Sequence, residues 1–167
     1  VQDVNNLIDD YKETYFIKGN IPKLNTSFKT NLFNTFHSYI EPDIYFPRKH
    51  NLISDHRGSF SEILQASSKG QISYSYTIPN FIRGNHFHTR KIERFSVLEG
   101  EALIEMRKIG TDKVFSFKLS GNKPSYVDMK IWHTHNIKNI GNTSLITLFW
   151  INEFFKEEDS DTFSEKV

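Results

Sequence analysis

Between residues 60 and 151 the sequence breaks into eight short runs of alternating or aromatic-rich residues, bounded by turn residues. The runs lie at 60–64, 72–78, 94–98, 102–107, 114–119, 126–129, 135–138 and 144–151. Turn residues such as Gly70, Gly100 and Gly110 separate them. The 15 Phe and 7 Tyr residues suit half-buried strands better than a helical bundle. Because many short strands need a closed or doubled sheet, the sequence predicts a mainly β fold, a sandwich or barrel.

Apolar residues recur at helical spacing in two segments that precede the first run. They are Val4, Leu7, Ile8, Tyr11 and Tyr15 in the first segment and Phe28, Leu32, Phe36, Tyr39 and Ile40 in the second. We therefore expect two short helices, the second ended by Glu41-Pro42-Asp43, where the barrel should begin. The chain divides into a helical segment at 1–42, a barrel at 43–156 and an acidic, polar C-terminal tail at 157–167, expected to be a surface extension.

Charge and cysteine content exclude several classes of site. With 21 Lys and Arg against 20 Asp and Glu, the net charge is +1, so no field of one sign is available to attract nucleic acid or an anionic membrane. No apolar run approaches the roughly 20 residues of a membrane span. The absence of cysteine removes disulfides and thiolate metal sites and leaves histidine and carboxylate as metal ligands. We expect a cytoplasmic protein with no nucleic-acid or membrane partner.

A candidate metal site begins at His86-Phe87-His88, since side chains two apart in a strand share a face. Glu93 lies an odd number of positions further on, so the chain after His88 must turn or bulge to bring it back. His135 can face the first pair across a closed barrel. A lone His-x-His pair is more often structural, but three histidines and a carboxylate together suit Zn²⁺, our first choice, or Fe²⁺, Mn²⁺ or Ni²⁺.

The spacing of these residues resembles the cupin motifs. The first motif is a His-x-His pair, four residues, Glu, six residues and Gly, matched from His86 to Gly100, and the core of the second is matched by His135 and Asn139. The resemblance implies a cupin, that is, a double-stranded β-helix or jelly-roll barrel.

A closer resemblance is to the nucleotide-sugar cupins, which include the dTDP-4-keto-6-deoxyhexose 3,5-epimerases and 3,4-ketoisomerases. It rests on Asp55-x-Arg57-Gly58-x-Phe60-x-Glu62 and on Arg83-Gly84-x-His86. From about residue 20 onward the chain is most similar to the C-terminal cupin domain of the CapF family of bifunctional capsular polysaccharide enzymes. The matching elements are 36–39, 55–60, 84–88, 134–137 and Phe149-Trp150.

The CapF resemblance implies a function. In that family the cupin domain is a zinc-dependent epimerase acting at C3 of a UDP-linked 4-keto-6-deoxy-N-acetylhexosamine, and a preceding reductase domain then reduces C4 with NADPH. By the resemblance, His86, His88, Glu93 and His135 are the zinc ligands, the first 42 residues are the trailing end of such a reductase domain, and the protein is a homodimer. The start at Val1, without Met, is then explained by a longer parent chain.

The sequence departs from the family before the last ligand. Lys130-Ile131-Trp132 replaces a Pro-x-Gly turn, and we expect a bulky Trp to be unable to adopt the backbone conformations that Gly allows. His133 could face the same interior as His135, so either could be the fourth ligand.

Epimerisation next to a ketone needs a base, an acid and stabilisation of the enolate. Candidates for the acid and base are His133, Lys130, Tyr74 and Tyr76. Arg83 and Arg57 are candidates for the diphosphate, although Arg57 could instead form a salt bridge with Glu62. Further substrate-binding candidates are Asn85 and, by stacking, Trp150 or Trp132, unless these aromatics belong to the core.

Two other functions remain open at this point. A sugar-nucleotide 3,4-ketoisomerase would use the same enediol chemistry. A non-catalytic cupin that binds a sugar nucleotide would use its zinc only to hold the barrel together.

Overall fold

A computed structural model describes residues 2–167 as two antiparallel sheets preceded by short helices. The helices are α1 (Gln2–Tyr11), continued by a π-helical segment (Lys12–Ile17), α2 (Ser27–Ser38) and α3 (Pro42–Tyr45). The strands are β1 (Leu52–Asp55), β2 (Gly58–Gln65), β3 (Gln71–Thr77), β4 (Ile82–Phe87), β5 (Glu93–Glu99), β6 (Glu101–Lys108), β7 (Val114–Ser120), β8 (Tyr126–Met129), β9 (His133–Asn139), β10 (Leu145–Ile151) and β11 (Phe163–Ser164). A 3₁₀ turn, Glu157–Asp159, precedes β11.

The six-stranded sheet has the order β1-β2-β3-β10-β5-β8, and the five-stranded sheet has the order β11-β4-β9-β6-β7. Alternate residues of both sheets meet in a single core, as period-two patterning requires. The core consists of Phe95, Val97, Ala102, Ile104, Leu119, Met129, Ile137, Leu145 and Phe149. Full burial of a side chain such as Ile104 stabilises the fold by about 1.5–3 kcal/mol. The predicted mainly β fold is confirmed.

The eight predicted strands all form, with ends shifted by at most a few residues. Three strands, β1, β4 and β11, lie where no run was predicted. For β4 only the His86-x-His88 spacing indicated a strand, and β1 and β11 are short edge strands with little apolar alternation. Each of these two edge strands completes a sheet: β1 pairs with β2, and β11 pairs with β4.

The two predicted helices form and pack through an aromatic cluster. The ring of Tyr11 lies edge-on to Phe33 at 5.3 Å, and Tyr15 lies edge-on to Phe33 at 5.2 Å. Helix α2 begins at an N-cap, where the Thr26 side chain accepts a hydrogen bond from Lys29 N. Glu41-Pro42-Asp43 ends α2 as predicted, but Pro42 then opens another helical turn, so the first strand starts only at Leu52.

The helical segment joins the barrel through backbone hydrogen bonds around Ile21. Ile21 N donates to Gln65 O at 2.8 Å, and Ser67 N donates to Ile21 O at 2.7 Å. No helix within residues 2–167 is both long and apolar enough to cross a membrane.

The segment 157–167 lies mostly at the surface, but it is attached to the barrel. Phe163 and Ser164 pair with Phe87 and His86 of β4, and Asp161 is buried. The acidic composition did not indicate this attachment, because the buried carboxylate of Asp161 is satisfied by backbone amides rather than by solvent.

Candidate metal centre

A bulge in β4 places His86. The register with β9 shifts between Gly84 and His86, where Gly84 and Asn85 have φ of 95° and 62°. A Cβ on Gly84 would lie 2.7 Å from the carbonyl oxygen of His135, so only glycine fits there. The glycine of the Arg-Gly-x-His motif thus lets β4 approach β9 closely and brings the imidazoles of His86 and His135 within 4.8 Å, centroid to centroid.

Four side chains converge inside the barrel. One ligand atom from each of His86, His88, Glu93 and His135 can be chosen so that all lie within 4.8 Å of one another. We call these four residues the His/Glu group. Residues 88–92 are not in a strand, and they carry the chain from the five-stranded sheet to the six-stranded one, where Glu93 opens β5. The turn that the odd spacing of Glu93 demanded is therefore present.

The imidazole hydrogen bonds leave lone pairs facing the carboxylate. His88 Nδ1 lies 2.5 Å from Asp161 O, and His135 Nδ1 lies 3.2 Å from His133 O. A carbonyl oxygen only accepts, so each Nδ1 carries the hydrogen and each neutral ring presents the Nε2 lone pair. Both Nε2 atoms face Glu93 Oε2, at 3.2 Å from His88 and 3.0 Å from His135.

A carboxylate oxygen that faces two ring nitrogens at such distances is stabilised by positive charge, either a proton on Nε2 or a bound cation. His88 Nε2 is buried and has no hydrogen-bond partner among the described residues. A divalent cation bound by three nitrogens and one oxygen would satisfy it, and these are ligands that zinc accepts. The residues present therefore fit a metal ion.

The pKa values of Glu93 and His86 agree with a ligand role. Burial acts to raise the pKa of Glu93, but the adjacent imidazoles of His135 and His88 outweigh burial and hold that pKa well below its usual range. In the metal-free protein, burial acts to lower the pKa of His88, but the Glu93 carboxylate outweighs burial and raises it. Burial, together with the neighbouring His135, lowers the pKa of His86 to about 4. An ionised carboxylate and a neutral imidazole are the forms that bind metal.

His133 lies outside the His/Glu group. It is two residues before His135 and on the same face of β9, but it is partly exposed, and its Nδ1 donates to Ile131 O at 2.9 Å. Of the two alternatives for the fourth ligand, the geometry favours His135, which is fully buried. Lys130 is exposed on the approach to β9.

Tyr74 and Tyr76 face away from the group. On β3 the inward positions are the buried residues Gln71, Ser73, Ser75 and Thr77, so the tyrosines lie on the outer face. The prediction that either tyrosine acts as the acid or base is therefore not supported. It assigned the aromatic residues to the interior, whereas the interior of β3 is polar.

The expectation for Trp132 is wrong. Trp132 has φ 58°, the left-handed conformation expected to need glycine. Contacts on both sides hold it there: Trp132 N donates to His88 O at 2.7 Å, and the indole stacks on Phe87 with centroids 5.9 Å apart. The turn before His135 is therefore kept although its sequence differs from the family.

The two arginines lie in different environments. Arg83 stands opposite the inward-facing Ile137, and its Nε donates to Thr77 Oγ1 at 2.9 Å. Burial, with some repulsion from Arg57, lowers the pKa of Arg83. Arg57 forms an ion pair with Asp55 at 2.5 Å and not with Glu62, the partner considered from sequence.

The remaining substrate candidates are also separated. Asn85 Oδ1 accepts a hydrogen bond from Asn136 Nδ2 at 3.1 Å beside the bulge. Trp150 is paired with Ile72 and Arg94 on the outer face of the six-stranded sheet, which removes it from the interior. Trp132 is half-exposed next to the group.

Two features escaped the sequence analysis. Ser75 and Thr147 are register partners with buried hydroxyls that have no hydrogen-bond partner among the described residues. The alternation of Gln71-Ile-Ser-Tyr-Ser-Tyr-Thr held the signal, since small polar residues at every second position mark a polar inner face. The contact between Asp161 and His88 had no sequence signal, because 73 positions separate them.

A large cavity lies away from the His/Glu group. It has a volume of about 900 Å³ and is formed by the three helices, with Phe16, Phe36, Ile44 and Tyr45 among its lining residues. We give it no catalytic role, because the convergent titratable side chains are in the barrel.

The chain was compared with known proteins. The family model for the polysaccharide biosynthesis C-terminal domain matches residues 53–163. A UDP-2-acetamido-2,6-beta-L-arabino-hexul-4-ose reductase of Pseudomonas aeruginosa is 33% identical over 136 residues, which is 81% of this chain and 36% of that protein.

Solved structures agree with this match. The crystal structure of the capsular polysaccharide assembling protein CapF from Staphylococcus aureus has a TM-score of 0.89 and 33% identity, and the alignment covers 99% of this chain and 44% of that one. An oxalate decarboxylase of Lactobacillus farciminis, at 18% identity and a TM-score of 0.55, shares the fold over 69% of this chain and 33% of that one. The predicted cupin fold is confirmed, and the chain spans less than half the length of the first relatives it matches.

Proposed function

The chain belongs to the polysaccharide biosynthesis C-terminal domain family, and on that basis we propose that it epimerises C3 of a UDP-linked 4-keto-6-deoxy-N-acetylhexosamine in a metal-dependent reaction. The observation that carries the proposal is the His/Glu group, whose ligand atoms lie within 4.8 Å of one another. The name of the Pseudomonas aeruginosa relative describes a UDP-linked 4-keto sugar with an acetamido group, which is the substrate class proposed here.

The reaction moves one proton. A base removes the proton at C3, the electron pair delocalises onto the C4 oxygen as an enolate, and a proton is returned to the other face of C3. A bound divalent metal, zinc in the first instance, supplies Lewis-acid stabilisation of the enolate. His86, His88, Glu93 and His135 would hold that metal, since all four side chains meet within the barrel.

Other residues of the chain would handle the proton and the nucleotide. His133 is the best candidate for the base, because it lies beside His135 and is partly exposed, with Nε2 free of any hydrogen bond to the described residues. Arg83 is the better candidate for the diphosphate, because its guanidinium faces inward and has no carboxylate partner among residues 2–167, whereas Arg57 is paired with Asp55.

A second function is favoured by a different observation, the burial of the His/Glu group. Three members of the His/Glu group are almost fully buried, and His86 alone is partly exposed. A metal so enclosed would also suit a non-catalytic domain that binds a sugar nucleotide and uses zinc to tie the two sheets together.

The protein would also be part of a larger assembly, formed by a longer chain and a second copy. The helical segment at 1–42 would be the trailing end of an NADPH-dependent reductase domain in a longer protein, since the relatives are more than twice as long as the matched part. The outer face of the six-stranded sheet carries apolar side chains, of which Tyr76 and Trp150 are exposed and Ile72, Tyr74, Ile146 and Leu148 are half-buried. This outer apolar face would be covered by a second copy in a homodimer.

The test is solvent exchange. The protein is incubated in D₂O with the 4-keto sugar nucleotide, and deuterium at C3 is followed by proton NMR. Exchange that disappears on chelation and returns with Zn²⁺ is expected. A His133→Gln variant should keep the metal and the melting temperature and lose exchange. Absence of exchange in metal-loaded protein would defeat the epimerase and leave the binding domain.

A further inference from the structure

We infer that residues 160–165 form a C-terminal latch that orients His88 for metal binding, with Asp161 as the positioning residue. The inference rests on the metal site of the proposed function. Side-chain and backbone atoms of the latch contact His88 and the segment that joins His88 to Glu93. Nothing in the sequence pattern of the tail indicates such a role.

The carboxylate of Asp161 binds the connecting loop. Oδ1 accepts from Thr89 N at 3.1 Å and from Thr89 Oγ1 at 2.6 Å, and Oδ2 accepts from Arg90 N and Lys91 N, each at 3.0 Å. The donors are three consecutive residues, and Asp161 itself is only 6% exposed. One buried carboxylate thus fixes the backbone between two members of the His/Glu group.

The backbone of the same residue holds the imidazole. Asp161 O accepts from His88 Nδ1 at 2.5 Å, which keeps the hydrogen on Nδ1 and directs the Nε2 lone pair toward Glu93. Asp161 has φ 43°, a conformation that aspartate tolerates better than most residues. Hydrogen bonds of this kind set the tautomer and ring orientation of a metal-binding histidine.

Neighbouring contacts close the latch on the strands that carry the rest of the group. Lys91, only 3% exposed, donates from Nζ to Ser160 O at 2.5 Å. Phe163 stacks on Phe87 with centroids 5.2 Å apart, and Ser164 pairs with His86. Thr134 Oγ1 donates to Glu165 O, next to His135. The latch therefore touches residues adjacent to every histidine of the group.

The variant that isolates the latch is Asp161→Asn. Asparagine keeps the size and tolerates positive φ, but its amide group turns an acceptor into a donor that faces backbone N–H groups. Asp159→Asn is the matched control, because that carboxylate pairs at the surface with Arg90 and its side chain is 61% exposed. If Asp161→Asn is too unstable to study, Thr89→Val replaces it. This variant removes one hydrogen bond and should produce the same changes with smaller magnitude.

Two measurements on metal-free protein test the latch without depending on activity or metal. Nitrogen-15 NMR of His88, recorded at a pH at which the imidazole is neutral, should report a single Nδ1–H tautomer in the parent and the control, and a mixture of tautomers in Asp161→Asn. The hydrogen-exchange protection of the amides of residues 89–91 should fall at least tenfold in the same variant. An unchanged tautomer with unchanged protection overturns the latch.

A third measurement tests whether the latch raises the affinity for metal. In competition with a chelator, Asp161→Asn should bind Zn²⁺ about 10–100-fold more weakly than the control, and equal affinities would overturn the orienting role. If the parent protein takes up no metal, the proposed function fails, whereas the tautomer and exchange data still decide whether the latch exists.

Discussion

Nε2 of His135 lies 3.0 Å from Oε2 of Glu93, although Glu93 opens a strand of the six-stranded sheet and His135 lies in the five-stranded one. The contact joins the two halves of the barrel at the proposed metal site. The polar pair is bordered by apolar core, since the ring of Phe95 lies edge-on to His135 at 5.6 Å. Removing the carboxylate of Glu93 would leave Nε2 of His135 buried without this partner, whereas Glu93 also contacts His88.

Glu93→Gln should abolish most metal binding. The amide keeps the shape of the side chain but removes the negative charge, so we expect Zn²⁺ affinity to fall by more than about 100-fold, beyond the usual effect of an indirect contact. The measurement is metal content after dialysis together with chelator competition. Glu62→Gln, a partly exposed carboxylate on β2, is the control, and metal content equal to that control would contradict the assignment.

The sequence predicted those parts of the fold and site that depend on local pattern. The eight strand runs and the shared direction of His86 and His88 follow from alternation, which the backbone geometry of a strand imposes. Glu93 and His135 needed in addition a turn after His88 and a closed barrel. An acid or base role for Tyr74 or Tyr76 requires a tyrosine that faces the interior, but alternation identifies the two faces of β3 without saying which is inside.

The parts that could not be predicted depend on tertiary contacts. Trp132 adopts a positive φ because Phe87 and His88 hold it, and local preference alone opposes that conformation. Asp161 reaches the loop after His88 only once both sheets have formed. Such contacts join residues far apart in sequence, where spacing carries no information.

The free-energy cost of the left-handed backbone conformation at Trp132 can be measured with a matched pair of variants. Trp132→Gly and Trp132→Ala both lose the stacking on Phe87, but only glycine adopts φ near 58° without cost. We expect the Gly variant to be more stable than the Ala variant by about 1 kcal/mol, the cost of the left-handed conformation. Urea unfolding of the two proteins measures the difference, and an Ala variant of equal or greater stability would contradict the strained turn.

The outer apolar face predicts the oligomeric state. Tyr76→Arg places a charge on this face and should convert a homodimer to monomer, measured by sedimentation velocity. Val114→Arg is the control, since Val114 is 43% exposed on the other sheet and Tyr76 is 41% exposed. If both variants keep the mass of the parent protein, the second copy does not bind at this face.

The ion pair between Arg94 and Asp128 predicts a pH dependence of stability. Hydrogen bonds from Arg94, outweighing partial burial, hold the pKa of Asp128 below its usual range. A carboxyl whose pKa is lower in the folded state contributes stability above its unfolded pKa of about 3.9 and loses it as pH falls through the folded value.

The parent and Asp128→Asn should therefore differ by a constant amount, at most about 1 kcal/mol for an exposed pair, above roughly pH 5. The difference should shrink as the pH is lowered below 4, and the free energy of unfolding from urea titrations at several pH values measures it. A difference that grows on acidification would show that the ion pair has the opposite effect.

Variants of Arg83 and Arg57 test which of the two arginines binds the diphosphate of the nucleotide. If the diphosphate is held inside the barrel, Arg83→Met should weaken binding of UDP by about 10–100-fold, because a hydrogen bond to a charged group contributes about 1.5–3 kcal/mol. Arg57→Met should cost less, since Asp55 already neutralises that guanidinium at 2.5 Å. Isothermal titration calorimetry with UDP at fixed salt gives both values. Equal losses would mean that Asp55 releases Arg57 when the nucleotide binds, and no loss from Arg83→Met would remove Arg83 from the diphosphate site.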